Sequence, residues 1–323
     1  MNNRKLNIHP SQSEIALKIE SLVKAIERSD TPAFRIRHNR SGYERLDNTR
    51  ISRYCTHVQQ MYNLFDDRVP YDYSEHLQAF RVAWEEIGLE PSPAGPICLN
   101  DRGSYWLSHP ESMNVLTERI RELTRQRWYK RRAGDRAYEA RKQEREITAY
   151  TDAVMSIYSR TIVIRLNLYY RPEAQVRQRV EHVFNHLDVL ISKHSRHPIF
   201  ERLVGYIYAV EQGDRNDGRG YHIHAAYFFN GNHVGRDVLK AIEISELWEA
   251  ITRGQGYAHS CNHNKEGYGK KCGIGRLQRD NQSVRPNVHE AMKYLVKDGQ
   301  HLRLRPVGAR CLRKGALGRF RRG

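Results

Sequence analysis

Two apolar runs, Leu203 to Val210 and His222 to Phe229, flank the segment Gly213-Asp214-Arg215-Asn216-Asp217-Gly218-Arg219-Gly220. Strand-forming residues on both sides of such a break specify a β-hairpin. Within the second run, Tyr221-His222-Ile223-His224-Ala225-Ala226-Tyr227 alternates. His222 and His224 therefore leave the same strand face, while Ile223 points the other way into a core.

The hairpin brings the end of its first strand, Glu211-Gln212, back beside these histidines. Two imidazoles and the Glu211 carboxylate make a mixed nitrogen and oxygen ligand set suited to Mg²⁺ or Mn²⁺. The chain has 16 His, so about one His-x-His triplet is expected by chance, and the context carries the argument. Glu211 has a competing use, pairing with Arg215 or Arg219, and Gln212 becomes the ligand if the turn register shifts by one.

The order around the hairpin sets the fold class. Thr161 to Tyr170 reads as a strand, and Pro172 opens a helix carrying Val180, Val183 and Leu187. Val238 to Ile251 is helical, with Leu239, Ile242, Leu247 and Trp248 as core candidates. Gly254 to Arg285 is Gly-rich with one or two short strands, and Pro286 begins a last helix through Tyr294 and Leu295. Strand, helix, strand, strand, helix, short strands and helix predict an α+β fold. It is an antiparallel sheet with helices packed on one face, related to ferredoxin-like and RNA-recognition folds. On the last helix Tyr294 and Lys297 are neighbours at i and i+3. Lys297 is placed to favour the tyrosine anion or to hold a phosphate oxygen. The plainer use is a packed tyrosine beside a lysine that reaches to water.

Residues 1–150 read as a helical, charged region. A helix capped by Ser11 or Ser13 carries Leu17, Ile19, Leu22, Val23 and Ile26, and Thr49 to Phe65 is a second helical stretch. Helix returns from Pro110 to about Tyr158. Its most basic point, around Arg127, Trp128, Lys130, Arg131 and Arg132, is suited to track a DNA backbone, with Trp128 or Tyr129 stacking on a base. The same run is also what a solvated helix face looks like. The last segment, 303–323, reads as a flexible basic tail in which Arg303 and Arg305 meet phosphate.

Charge names the partner class. Against 37 Asp+Glu stand 54 Lys+Arg, a formal net charge of +17, which favours a polyanion through counterion release. No run of about 18 apolar residues is present, so no bilayer span is expected, and five scattered cysteines do not form a disulfide framework. The expectation is a reduced, cytoplasmic protein. His259, Cys261, His263 and Cys272 lack a finger spacing, and His182-x-x-x-His186 lacks the glutamate of a zincin. With no phosphate-binding Gly-x-x-x-x-Gly-Lys motif, any duplex unwinding would need a partner helicase.

His222-Ile223-His224 on a strand, Glu211 on its hairpin partner and Tyr294-x-x-Lys297 on a later helix resemble the HUH endonuclease superfamily. The run Val210-Glu211-Gln212 through His224 resembles the inovirus-type replication proteins, the YagK/YfjJ C-terminal domain family. So do Lys293-Tyr294-Leu295-Val296-Lys297-Asp298 and Leu302-Arg303-Leu304-Arg305-Pro306. The resemblance covers 155–315, about half the chain. It implies an HUH-type nicking domain that cuts single-stranded or supercoiled origin DNA to start rolling-circle replication, with a host helicase and polymerase as partners. Tyr294 would remain joined to the 5′ end and free a 3′-hydroxyl, and 162–168 would match a mainly structural strand motif. One tyrosine stands at the motif position, so a two-tyrosine relay is not supported. The rivals are a non-catalytic DNA-binding regulator on the same fold and an RNA-binding protein using the same sheet.

Overall fold

A computed structural model describes residues 10–38, 44–65, 69–213, 220–296 and 301–317. The chain forms two compact units. One holds 12–136 with 303–307, and the other holds 137–302 with the segment from 308. The boundary thus lies inside one long helix rather than near 150.

The N-terminal unit is built on three helices, Gln12–Glu27, Glu75–Glu86 and His109–Arg125, which pack on one another. The first buries Leu22, Val23 and Ile26 in the stripe expected from their spacing. The stretch from Thr49 yields only two short helices, Ser52–Cys55 and Val58–Tyr62. The region is not wholly helical. A two-stranded antiparallel ribbon, Phe34–His38 with Glu44–Asn48, interrupts it, and Tyr71–Tyr73 pairs with Leu304–Pro306. Helix also breaks at Gln126, whose backbone is extended.

The second unit follows the expected order. Helix α1 (Arg127–Met155) enters it, then come β1 (Arg160–Tyr170), α2 (Val180–Lys193), β2 (Leu203–Gln212) and β3 (Tyr221–Asn230). Next are α3 (Asp237–Ile251), β4 (Gly256–Ser260), β5 (Gly275–Gln278), α4 (Arg285–Lys293) and β6 (Leu312–Lys314). The sheet order is β6-β2-β3-β1-β4, with β5 on the same edge of β1 as β4, and every pairing is antiparallel. Segment 303–317 is therefore not a flexible tail, because its backbone groups enter two sheets; residues 318–323 lie outside the described set.

Helices cover both faces of this sheet, not one. On one face lie α2 and α3, where Trp248 packs edge-on to Tyr170 and the Tyr170 hydroxyl meets His186 Nδ1 at 3.0 Å. On the other, Ile147, Tyr150 and Val154 of α1 join Val288 and Met292 of α4 over Val163, Ile207 and Phe228. Two covered faces explain why β3 is buried from end to end. In α3 the core stripe is Asp237, Ala241, Ile244 and Trp248; Leu239 and Ile242, expected inside, are exposed. That stripe spaces its residues by three and four, which the choice of the largest apolar residues overlooked.

Candidate metal centre

Three neighbouring strands deliver the site. Glu211 of β2 stands opposite His222 of β3, and Asn167 of β1 stands opposite His224. Opposed residues share a face, so all four side chains project together. Gln212 takes the other face, opposite Tyr221, and its alternative register is not adopted. Arg215 and Arg219 lie outside the described residues.

Glu211, His222 and His224 are buried, and among the described residues they are the group of three that could hold a metal ion. His222 Nε2 lies 3.3 Å from His224 Nε2, and Glu211 Oε2 lies 3.0 Å from His224 Nε2 and 3.8 Å from His222 Nε2. A circle through these three atoms has a radius of about 2 Å, the length of a bond from an imidazole nitrogen to a divalent metal.

The outer hydrogen bonds set the ring protons. His224 Nδ1 is 2.5 Å from Asn167 Oδ1, and His222 Nδ1 is 3.3 Å from the Gly220 carbonyl. Both oxygens accept only, so each Nδ1 carries the proton and each Nε2 turns a lone pair inward. Glu211 Oε2 makes no hydrogen bond among the described residues. Three buried acceptors that converge repel unless a proton or a cation lies between them. Burial pushes the Glu211 carboxyl well above its usual range, with the Arg165 guanidinium pulling the other way. The residues thus fit a divalent ion.

Tyr294 does not sit in an α-helix. Helix α4 ends at Lys293 and Tyr294–Val296 form a 3₁₀ turn. Buried Val288, Met292 and Leu295 hold that segment against the sheet and leave Tyr294 46% exposed. Its ring centroid is 6.0 Å from that of His224, edge to face. Lys297 lies outside the described residues.

Arg165, within the strand expected to be mainly structural, joins the site. It shares a face with Asn167, two residues on, and its guanidinium carbon sits 4.3 Å from the Tyr294 ring centroid. Arg165 and Asn167, polar at i and i+2 within an apolar run, were the available signal, since polar groups on a covered strand face require partners.

Other candidates separate. Arg127, Lys130, Arg131 and Arg132 are exposed and Trp128 is half-buried, its indole donating to Gln126, whereas Tyr129 is buried against His76. Arg303 is not a phosphate contact. It is buried, with Nε 2.8 Å from Glu20, while exposed Arg305 pairs with Asp72. His259, Cys261, His263 and Cys272 form no metal-binding group of three. All five cysteines are free thiols. Among the described residues no helix is long and apolar enough to cross a membrane. No protein-family model, curated protein or solved structure matches the chain.

Proposed function

We propose that this protein is a metal-dependent DNA-nicking enzyme of the HUH type, acting as a rolling-circle replication initiator on single-stranded or supercoiled origin DNA. The observation that carries the reading is the convergence of two imidazole lone pairs and one carboxylate within a few ångströms of an exposed tyrosine ring. Glu211, His222 and His224 would hold Mg²⁺ or Mn²⁺, which would polarise the scissile phosphate and offset its developing charge.

Asn167, hydrogen-bonded to His224 Nδ1, would keep the His224 Nε2 lone pair aimed at a bound ion. Tyr294 supplies the nucleophile: its Oη gives up its proton to solvent and bonds to phosphorus, the bond to the 3′-oxygen breaks, and the departing 3′-oxygen takes a proton from solvent. The product is a 5′-phosphotyrosine link and a free 3′-hydroxyl. Arg165, stacked on the ring, holds Tyr294 over the site and places a fixed positive charge where anionic oxygen gathers.

The test is covalent capture of labelled single-stranded DNA from the protein's own genetic element, with Mn²⁺ or with EDTA. An adduct that resists denaturation, needs the metal, maps to Tyr294 and vanishes in Tyr294→Phe and His222→Ala is the expected result. Tight binding without adduct on every strand tried would leave a DNA-binding regulator instead.

A further inference from the structure

The N-terminal unit carries a second feature that the nicking site does not use. In the ribbon Phe34–His38/Glu44–Asn48, Arg37 lies directly opposite Arg45 and Arg35 lies opposite Asp47. Opposed pairs alternate between faces. One face therefore presents Arg35, Arg37, Arg45 and a single acid, Asp47, and the other presents Ile36 with Leu46. Asp47 serves two cations at once, with Arg37 Nε at 3.4 Å and Arg45 Nε at 3.2 Å, and those guanidinium chains remain 65% and 78% exposed.

Three arginines against one shared carboxylate leave this face net positive and open to solvent. Its base is held firmly. Asn114 accepts from the Phe34 amide at 2.8 Å and donates to the Phe34 carbonyl at 2.9 Å, and the Thr49 hydroxyl binds the Pro32 carbonyl at 2.8 Å. Beside that base, exposed Arg50 and Arg53 line a cleft of about 740 Å³. A clamped ribbon with one arginine face is a fixed cationic ridge; the cleft lies on the side of Phe34 and Asn48, away from that face.

We infer that this ridge docks double-stranded DNA, the ribbon entering the major groove and the arginines meeting the flanking phosphates. The B-form major groove, about 12 Å wide, admits a two-stranded ribbon. The deep, narrow groove of A-form RNA does not. Whether or not Tyr294 cuts DNA, this surface acts on its own, so it is read without metal.

The experiment is fluorescence anisotropy of the full chain with a labelled DNA duplex in EDTA over a salt series. Replacing Arg35, Arg37 and Arg45 together by Ala should weaken duplex binding at least about tenfold. It should also flatten the plot of log affinity against log salt by about 2 to 3 units, at roughly 0.9 per phosphate contact. The triple Lys variant should keep most of the affinity. Should the triple Ala variant lose its thermal unfolding transition, Arg45→Gln alone carries the test, with a slope loss of about 1 unit. Unchanged duplex affinity in these variants overturns the proposal. So does an RNA duplex bound as tightly and weakened equally.

Discussion

At the scale of single residues, the site depends on which nitrogen of each imidazole carries a proton. Asn167 Oδ1 fixes this for His224 through a 2.5 Å hydrogen bond. Asn167→Leu keeps the volume but removes the acceptor, and it should lower Mn²⁺ affinity about 10- to 100-fold with the fold intact; isothermal titration calorimetry measures this directly, and equal affinity would remove the proton-setting role. Arg165 faces the Tyr294 ring, and its charge also reaches the Glu211 carboxyl. Arg165→Met should slow adduct formation by about 10²-fold at saturating Mn²⁺. A variant as fast as the parent at saturating Mn²⁺ would remove that role from the arginine.

At the scale of elements, a hairpin carries the three candidate ligands and the turn after α4 carries Tyr294, so the position of α4 decides whether they meet. Asp152 accepts from Arg285 Nη1 at 2.7 Å and lies 2.8 Å from His289 Nε2, which ties α4 to α1. Gly273 allows the loop before β5 to touch the first turn of α4, where an added Cβ would overlap the Asn287 carbonyl. Backbone cannot yield as a flexible side chain can. Gly273→Ala should therefore cost about 1 to 3 kcal/mol in urea unfolding, and adduct yield should fall with it even though the site residues are intact. An alanine variant of unchanged stability would mean that the loop relaxes freely.

For the whole molecule, the chain returns to its N-terminal unit near its end: 303–307 belong there, and Arg303 meets Glu20 in the interior. Burial would raise the Glu20 carboxyl, but Arg303 and Lys24 outweigh it and hold it at about 2. The depressed value makes this contribution full above about pH 4.5 and lost as pH falls toward 2, roughly 3 kcal/mol in all. Urea midpoints measured from pH 6 to pH 2.5 should fall more steeply than in Glu20→Gln/Arg303→Met, where that slope is removed. Parallel curves would place the acid sensitivity elsewhere.

Alternation and turn chemistry in the sequence determined the hairpin and the order of elements around it, and left the register open between Glu211 and Gln212. A one-residue slip would have turned Gln212 toward His222 and His224; the strand pairing places Glu211 there instead. The charge of +17 follows from composition alone. Only tertiary structure decided that helices cover both faces of the sheet, that Arg165 stacks on Tyr294, and that Arg303 is an interior ion pair rather than part of a basic tail. Each of these depends on residues far apart in the chain, and a local pattern records that a side chain is charged or apolar but not which distant group closes over it. Arg303 and Arg45 are the same residue in sequence, yet one is buried against a carboxylate and the other stands exposed on a ribbon. Packing made that difference.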